Sequence, residues 1–87
     1  MKYQIEYSRT AQKTLMKMPR NTAELIRQKI WEVADNPSQA RNVKALHHEI
    51  AGYRLRVGDW RVFFDLVNGA PRVLAVTAIR SRGGAYK

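Results

Sequence analysis

The chain contains no cysteine. That excludes a disulfide framework and any cysteine-based zinc site, and it suits a reducing cytoplasm. No apolar run approaches the length of a membrane span, and the opening MKYQIEYSRT lacks the apolar core of a signal peptide, so no membrane association is expected. Carboxylates are few: 7 Asp and Glu stand against 16 Lys and Arg. They are scattered, without the paired spacing that acid–base chemistry between two carboxylates requires. Ser8, Ser38 and Ser81 have no histidine–aspartate context. The 2 histidines, His47 and His48, are adjacent, so on a strand they point apart and do not chelate one metal in the usual way. Gly83-Gly84 precedes no helix and is not a phosphate-cradling loop. No metal or cofactor is expected, and no repeat, linker or low-complexity segment is visible.

What the chain does have is positive charge. A net charge of +9 over 87 residues predicts attraction to phosphate backbones or to an acidic protein partner. The length corresponds to one domain, 1–87, with a modest core and a few kcal/mol of stability.

The hydrophobic pattern changes period along the chain. In KYQIEY, Tyr3, Ile5 and Tyr7 alternate with polar residues, the mark of a half-buried strand. Ser8 is placed to cap a helix beginning near Arg9, with Ala11, Leu15 and Met18 on one face and Pro19 closing it. A second helix is expected after Asn21 or Thr22 as cap. Its apolar stripe is Ala23, Ile26, Ile30, Val33 and Ala34, with Trp31 off the stripe and read mainly as packing against a flank of the sheet. Asn36-Pro37 stops it. Residues 36–43 are a polar connection, and 44–50 read as an ambiguous strand entry with Leu46 and Ile50 turned inward. Three strands follow: Tyr53 to Val57, Trp60 to Val67, and Val73 to Ile79. Gly58-Asp59 makes a two-residue type II′ turn between the first two, and Asn68-Gly69-Ala70-Pro71 makes the next. VLAVTAI is apolar on both faces, as a central strand is. The expected fold is α+β, in the order β-α-α-β-β-β. A helical hairpin packs on one face of a small four-stranded, mostly antiparallel twisted sheet.

Residues two apart on a strand share a face. Arg54 and Arg56 therefore point together, away from Leu55. Across the turn, Arg61, Phe63 and Asp65 oppose Val62 and Phe64. With Leu55, Val62 and Phe64 against the helices, the arginines occupy the open face. Arg80 and Arg82 are expected where the chain leaves the sheet, and Gly83-Gly84 allows Tyr86 to bend back toward them. An alternative is that Arg61 pairs with Asp65 on a solvated surface. Guanidinium forks match phosphate oxygens well, so the convergence of these groups points to an RNA phosphodiester. Aligning a 2′-hydroxyl with its own phosphate gains from proximity, and arginines stabilise the extra transition-state charge without a metal. Tyr86 is the titratable group in the set, and neighbouring arginines favour its phenolate.

The segments Lys44-Ala45-Leu46, GYRLRVGDWRVFF over 52–64, Val76 to Arg80 and the ending RGGAYK resemble the RelE/ParE superfamily of toxins from type II toxin–antitoxin modules, over essentially the whole chain. The resemblance implies the RelE-like fold and one of two activities. RelE-like members cleave messenger RNA on the ribosome by 2′-hydroxyl attack, leaving a 2′,3′-cyclic phosphate and a 5′-hydroxyl. ParE-like members inhibit DNA gyrase. Carried over by position, Arg54, Arg56, Arg61, Arg80 and Tyr86 match the nuclease set, with Lys44, Tyr53, Arg82 and Lys87 as further RNA-binding residues. The filled positions favour a metal-independent endoribonuclease over a gyrase inhibitor or a degenerate toxin that only binds antitoxin. Two departures matter. The basic pair is often lysine in RelE and is Arg54 and Arg56 here, which moves proton transfer toward Tyr86. Ile79 stands where some relatives carry a histidine. The implied partners are an acidic antitoxin, the ribosome with its messenger RNA, and operator DNA through the antitoxin complex only.

Overall fold

In the computed structural model, which describes residues 3–46 and 51–81, Ser8 joins the first strand to the first helix. β1 (Gln4–Tyr7) turns Ile5 and Tyr7 inward and leaves Gln4 and Glu6 exposed. Ser8 Oγ accepts from the Ala11 backbone N–H at 3.0 Å and donates to the Thr77 carbonyl at 2.7 Å. It thus satisfies one orphan donor of helix α1 (Arg9–Lys17) and ties that helix to the strand beneath it. Ala11, Leu15 and Met18 are buried, as their spacing predicts. Helix α2 (Arg20–Asp35) buries Ala23, Ile26, Ile30, Val33 and Ala34, again the expected stripe.

The start of α2 differs from expectation. Pro19, not Asn21 or Thr22, is the cap residue; its carbonyl accepts from Ala23 N–H at 3.0 Å, and no side chain caps the helix. A proline with φ −56° already has the backbone angle a helix needs, so the helix begins immediately after it. Trp31 is half exposed. A single 3₁₀ turn, Pro37–Gln39, follows α2.

The sheet has five strands rather than four. The addition is β2 (Val43–Ala45), which pairs antiparallel with β3 (Tyr53–Val57). Three residues are too few to display a period in sequence. β4 (Trp60–Asn68) and β5 (Arg72–Ser81) complete the order β1-β5-β4-β3-β2, in which β1 runs parallel to β5 and every other pair is antiparallel. β5 is internal, flanked by β1 and β4, consistent with its apolar character. In the β3–β4 turn Gly58 has φ +56° while Asp59 does not enter the positive range. That is the pattern of a type II′ turn, which suits the twist of a hairpin.

Both helices lie on one face. The core between the layers contains Leu55, Val57, Val62, Phe64, Leu74, Val76 and Ile79 from the sheet. Each fully buried side chain of this size contributes roughly 1.5–3 kcal/mol. Leu46 is not part of that core. It packs instead with Ala51, Phe63 and Ala78 in a small second cluster. Among the described residues no helix is long and apolar enough to cross a membrane.

Candidate functional site

The register of the three long strands builds a row of like charge. Arg56 on β3 lies opposite Arg61 on β4, and Arg61 lies opposite Arg80 on β5. Directly opposed residues on a sheet project from the same face with Cβ atoms about 5 Å apart, so three guanidinium groups stand side by side at the hairpin end of the sheet. One pleat further along, Lys44, Arg54, Phe63 and Ala78 form a second row, again in direct register. The buried Leu55, Val62 and Phe64 alternate with these residues and face the helices, so the basic rows lie on the open face.

Arg80 reaches that face because of a bulge. With strict alternation, Leu74, Val76 and Arg80 would share one face, and Arg80 would point at the helices. Phe63 pairs with Ala78 but Phe64 pairs with Val76, so Thr77 is an extra residue. The phase reverses there: Ile79 joins the core and Arg80 turns outward. Thr77 is held at both ends, its hydroxyl donating to the Phe63 carbonyl at 3.1 Å and its carbonyl accepting from Ser8. Arg80 is therefore a residue of β5 itself, not of a segment after the sheet, and no rule of alternation predicts its direction. Its guanidinium carbon sits 5.9 Å from the Phe63 ring centroid.

The described residues do not neutralise the positive charge of this face. Among the described residues, no carboxylate pairs with Arg54, Arg56, Arg61 or Arg80. Asp65, the alternative partner for Arg61, lies four residues along the same strand, about 13 Å away. Its Oδ1 accepts instead from the Gly52 backbone N–H at 2.7 Å. Leu46 N–H in turn donates to the Gly52 carbonyl at 2.8 Å, which sets Leu46 and Ala51 over Phe63. Asp65 thus anchors the wall of the basic face and does not pair with Arg61.

Tyr53, expected among the RNA-binding residues, does not join them. Its ring stacks on Phe64 at 5.4 Å and packs against the helix-side core. Alternation along β3 places it opposite in direction to Arg54 and Arg56. Lys44 is exposed beside Arg54, as part of β2. Tyr86, Arg82 and Lys87 lie outside the described residues, as do Gly83-Gly84, His47, His48 and Ile50.

The described residues thus form a helical hairpin over a five-stranded sheet whose open face carries arginines in register. The chain belongs to the ParE toxin family of type II toxin–antitoxin systems, parDE, whose family model matches residues 5–86; it is a member of the wider RelE/ParE superfamily. Among solved structures, the fold is similar to the archaeal RelE–RelB complex from Pyrococcus horikoshii, with 24% identity, 98% of this chain and 100% of that chain covered, and a TM-score of 0.76. It is also similar to a RelBE toxin–antitoxin complex from Mycobacterium tuberculosis, with 20% identity, coverages of 94% and 100%, and a TM-score of 0.75. A third is E. coli toxin RelE, a double arginine-to-alanine mutant in the free state, with 20% identity, coverages of 98% and 87%, and a TM-score of 0.75. At these identities the likeness is one of fold. No curated protein matches the sequence significantly.

Proposed function

We propose that this toxin is a ribosome-dependent endoribonuclease that cleaves messenger RNA with its open sheet face. The observation that supports this most is the row Arg56–Arg61–Arg80, three guanidinium groups in direct cross-strand register with no carboxylate partner among the described residues. In the proposed reaction a 2′-oxygen attacks its own phosphorus as the bond from phosphorus to the 5′-oxygen breaks. The 2′-hydroxyl loses its proton and the departing 5′-oxygen gains one. The products are a 2′,3′-cyclic phosphate and a 5′-hydroxyl. The row binds the non-bridging oxygens and stabilises the added charge, an effect worth about 100- to 1,000-fold per donor. Arg54 and Lys44 hold the flanking phosphate. Arginine is too basic to take the proton, so Tyr86 is assigned that role. Tyr86, Arg82 and Lys87 complete the proposed RNA contacts, and the domain 1–87 acts without a metal.

The proposed partners are an acidic antitoxin and the ribosome, in the cytoplasm. Complexes of RelE with RelB among the similar structures, and the chain's own charge of +9, support the first. The ParE family model favours a second reading, inhibition of DNA gyrase. Parallel assays separate the two. Toe-printing on translating ribosomes should show A-site cuts that vanish in Arg61→Ala and Arg80→Ala, with gyrase supercoiling unaffected. Blocked supercoiling with intact messenger RNA would establish the second reading instead.

A further inference from the structure

Helix α1 carries a second basic surface, on the side of the molecule opposite the arginine row. Arg9, Lys13 and Lys17 recur every four residues and are all exposed. On a helix of 3.6 residues per turn they fall within an arc of about 80° and succeed one another at about 6 Å along the axis. The buried Ala11, Leu15 and Met18 lie on the opposite side of the same helix, so the ladder points straight out into solvent. Between Glu6 and Glu24 the chain has no acidic residue at all, and none of the three cations is in an ion pair among the described residues. Arg20, just beyond, pairs only at the exposed surface with Glu24, at 3.4 Å.

This arrangement works against the helix that bears it. Like charges four residues apart repel. Arg9 stands in the first turn, where the helix dipole disfavours a cation and where no acidic residue is present. Lys17, in the last turn, suits the dipole; Arg9 and Lys13 gain nothing locally. A ladder of evenly spaced cations on a convex rod, with no ion-pair partner among the described residues, matches a regularly charged polyanion. It does not match a small anion, for which there is no concavity.

We infer that the outer face of α1 binds the phosphate backbone of a folded RNA, while the open sheet face holds the strand to be cut. The inference rests on the nuclease reading in one respect: it takes the polyanion to be RNA. The molecule is 24 Å across its shortest dimension, and α1 packs on β5 from the side opposite the basic rows. One duplex cannot lie against both surfaces, whereas a large structured RNA can reach both at once.

The test compares wild type with the variant Arg9→Gln/Lys13→Gln/Lys17→Gln, using purified ribosomes, a short single-stranded oligoribonucleotide, and matched RNA and DNA duplexes. Three lost backbone contacts make the log–log salt slope for ribosomes and for the RNA duplex shallower by about 2.7. Between about 50 and 200 mM salt, wild type should then lose roughly 40-fold more affinity than the variant. Affinity for the single-stranded oligoribonucleotide should stay unchanged, whereas Arg61→Ala should weaken it. The thermal midpoint should change little, since the relief of repulsion offsets the loss of Lys17 at the helix C-terminus. Lys13→Gln alone, with a slope change of about 0.9, is a milder second measurement. Unchanged ribosome affinity and slope in both variants overturns the inference, as does a ladder-dependent preference for the DNA duplex. If wild type leaves messenger RNA intact, the nuclease reading fails while the binding measurements on α1 keep their meaning.

Discussion

Removing the central arginine of the row should make the protein more stable. Arg61 lies between Arg56 and Arg80, with like charge directly across on both sides, and no described carboxylate compensates it. At a guanidinium separation of roughly 7 Å and a water-like dielectric, each repulsion costs about 0.6 kcal/mol. Two neighbours give about 1.2 kcal/mol, and the value of about 0.6 kcal/mol for each falls within the roughly 0.2–1 kcal/mol known for cross-strand pairs. Arg61→Gln keeps a polar side chain at a half-buried position and removes both repulsions. For a domain of this size the expected rise in Tm is roughly 5–10 °C at low salt. It should shrink by more than half near physiological ionic strength, where charges more than about 8 Å apart are largely screened. Differential scanning calorimetry at two salt concentrations measures this directly. A variant less stable than wild type, or a gain indifferent to salt, would show that Arg61 has a stabilising partner and that the row is not held together against its own charge. The same substitution should abolish RNA cleavage, so stability and function move in opposite directions at one residue.

Other substitutions probe the frame that aims the row. Ser8→Ala removes both the cap of α1 and the donor to the Thr77 carbonyl, with an expected loss of about 1–2 kcal/mol in urea denaturation. Asp65→Ala leaves the Gly52 N–H without its acceptor and should cost about 1.5–3 kcal/mol; Asp65→Asn, which keeps an acceptor oxygen, should cost less. Burial raises the Tyr7 phenol above its ordinary value despite the nearby Arg27, which acts to lower it. The folded state therefore holds that proton more tightly than the unfolded state. Tyr7's contribution is complete below the unfolded pKa near 10 and is lost as pH rises through the higher folded value. Urea midpoints should fall as pH rises above about 10 in wild type, and fall less in Tyr7→Phe.

The sequence revealed the parts of this fold that have a period. The stripe from Ala23 to Ala34 is legible because α2 buries a single face. Leu55, Val62 and Phe64 are legible because β3 and β4 alternate. Tertiary pairing decided the rest. β2 exists because three residues find an edge of β3, not because Val43–Ala45 has a strong preference of its own. Pro19 displaced Asn21 and Thr22 as the start of α2 because its backbone angle was already set. At the site, Arg54, Arg56 and Arg61 followed from alternation alone. Arg80 shares the parity of Leu74 and Val76, and only the extra residue at Thr77 turns it to the same side as the others. Tyr53, expected among the RNA-binding residues, follows the same alternation rule to the helix side of the sheet, where it meets Phe64.

The most direct test of the nuclease proposal is the chemistry of the cut ends. Ribosomes programmed with one messenger RNA, incubated with the purified toxin, should yield fragments ending in a 2′,3′-cyclic phosphate and beginning with a 5′-hydroxyl. The yield should drop about 100-fold or more in Arg61→Ala and in Arg80→Ala. Fragments with 3′-hydroxyl and 5′-phosphate ends, or equal cutting by wild type and both variants, would contradict a reaction carried by the guanidinium row.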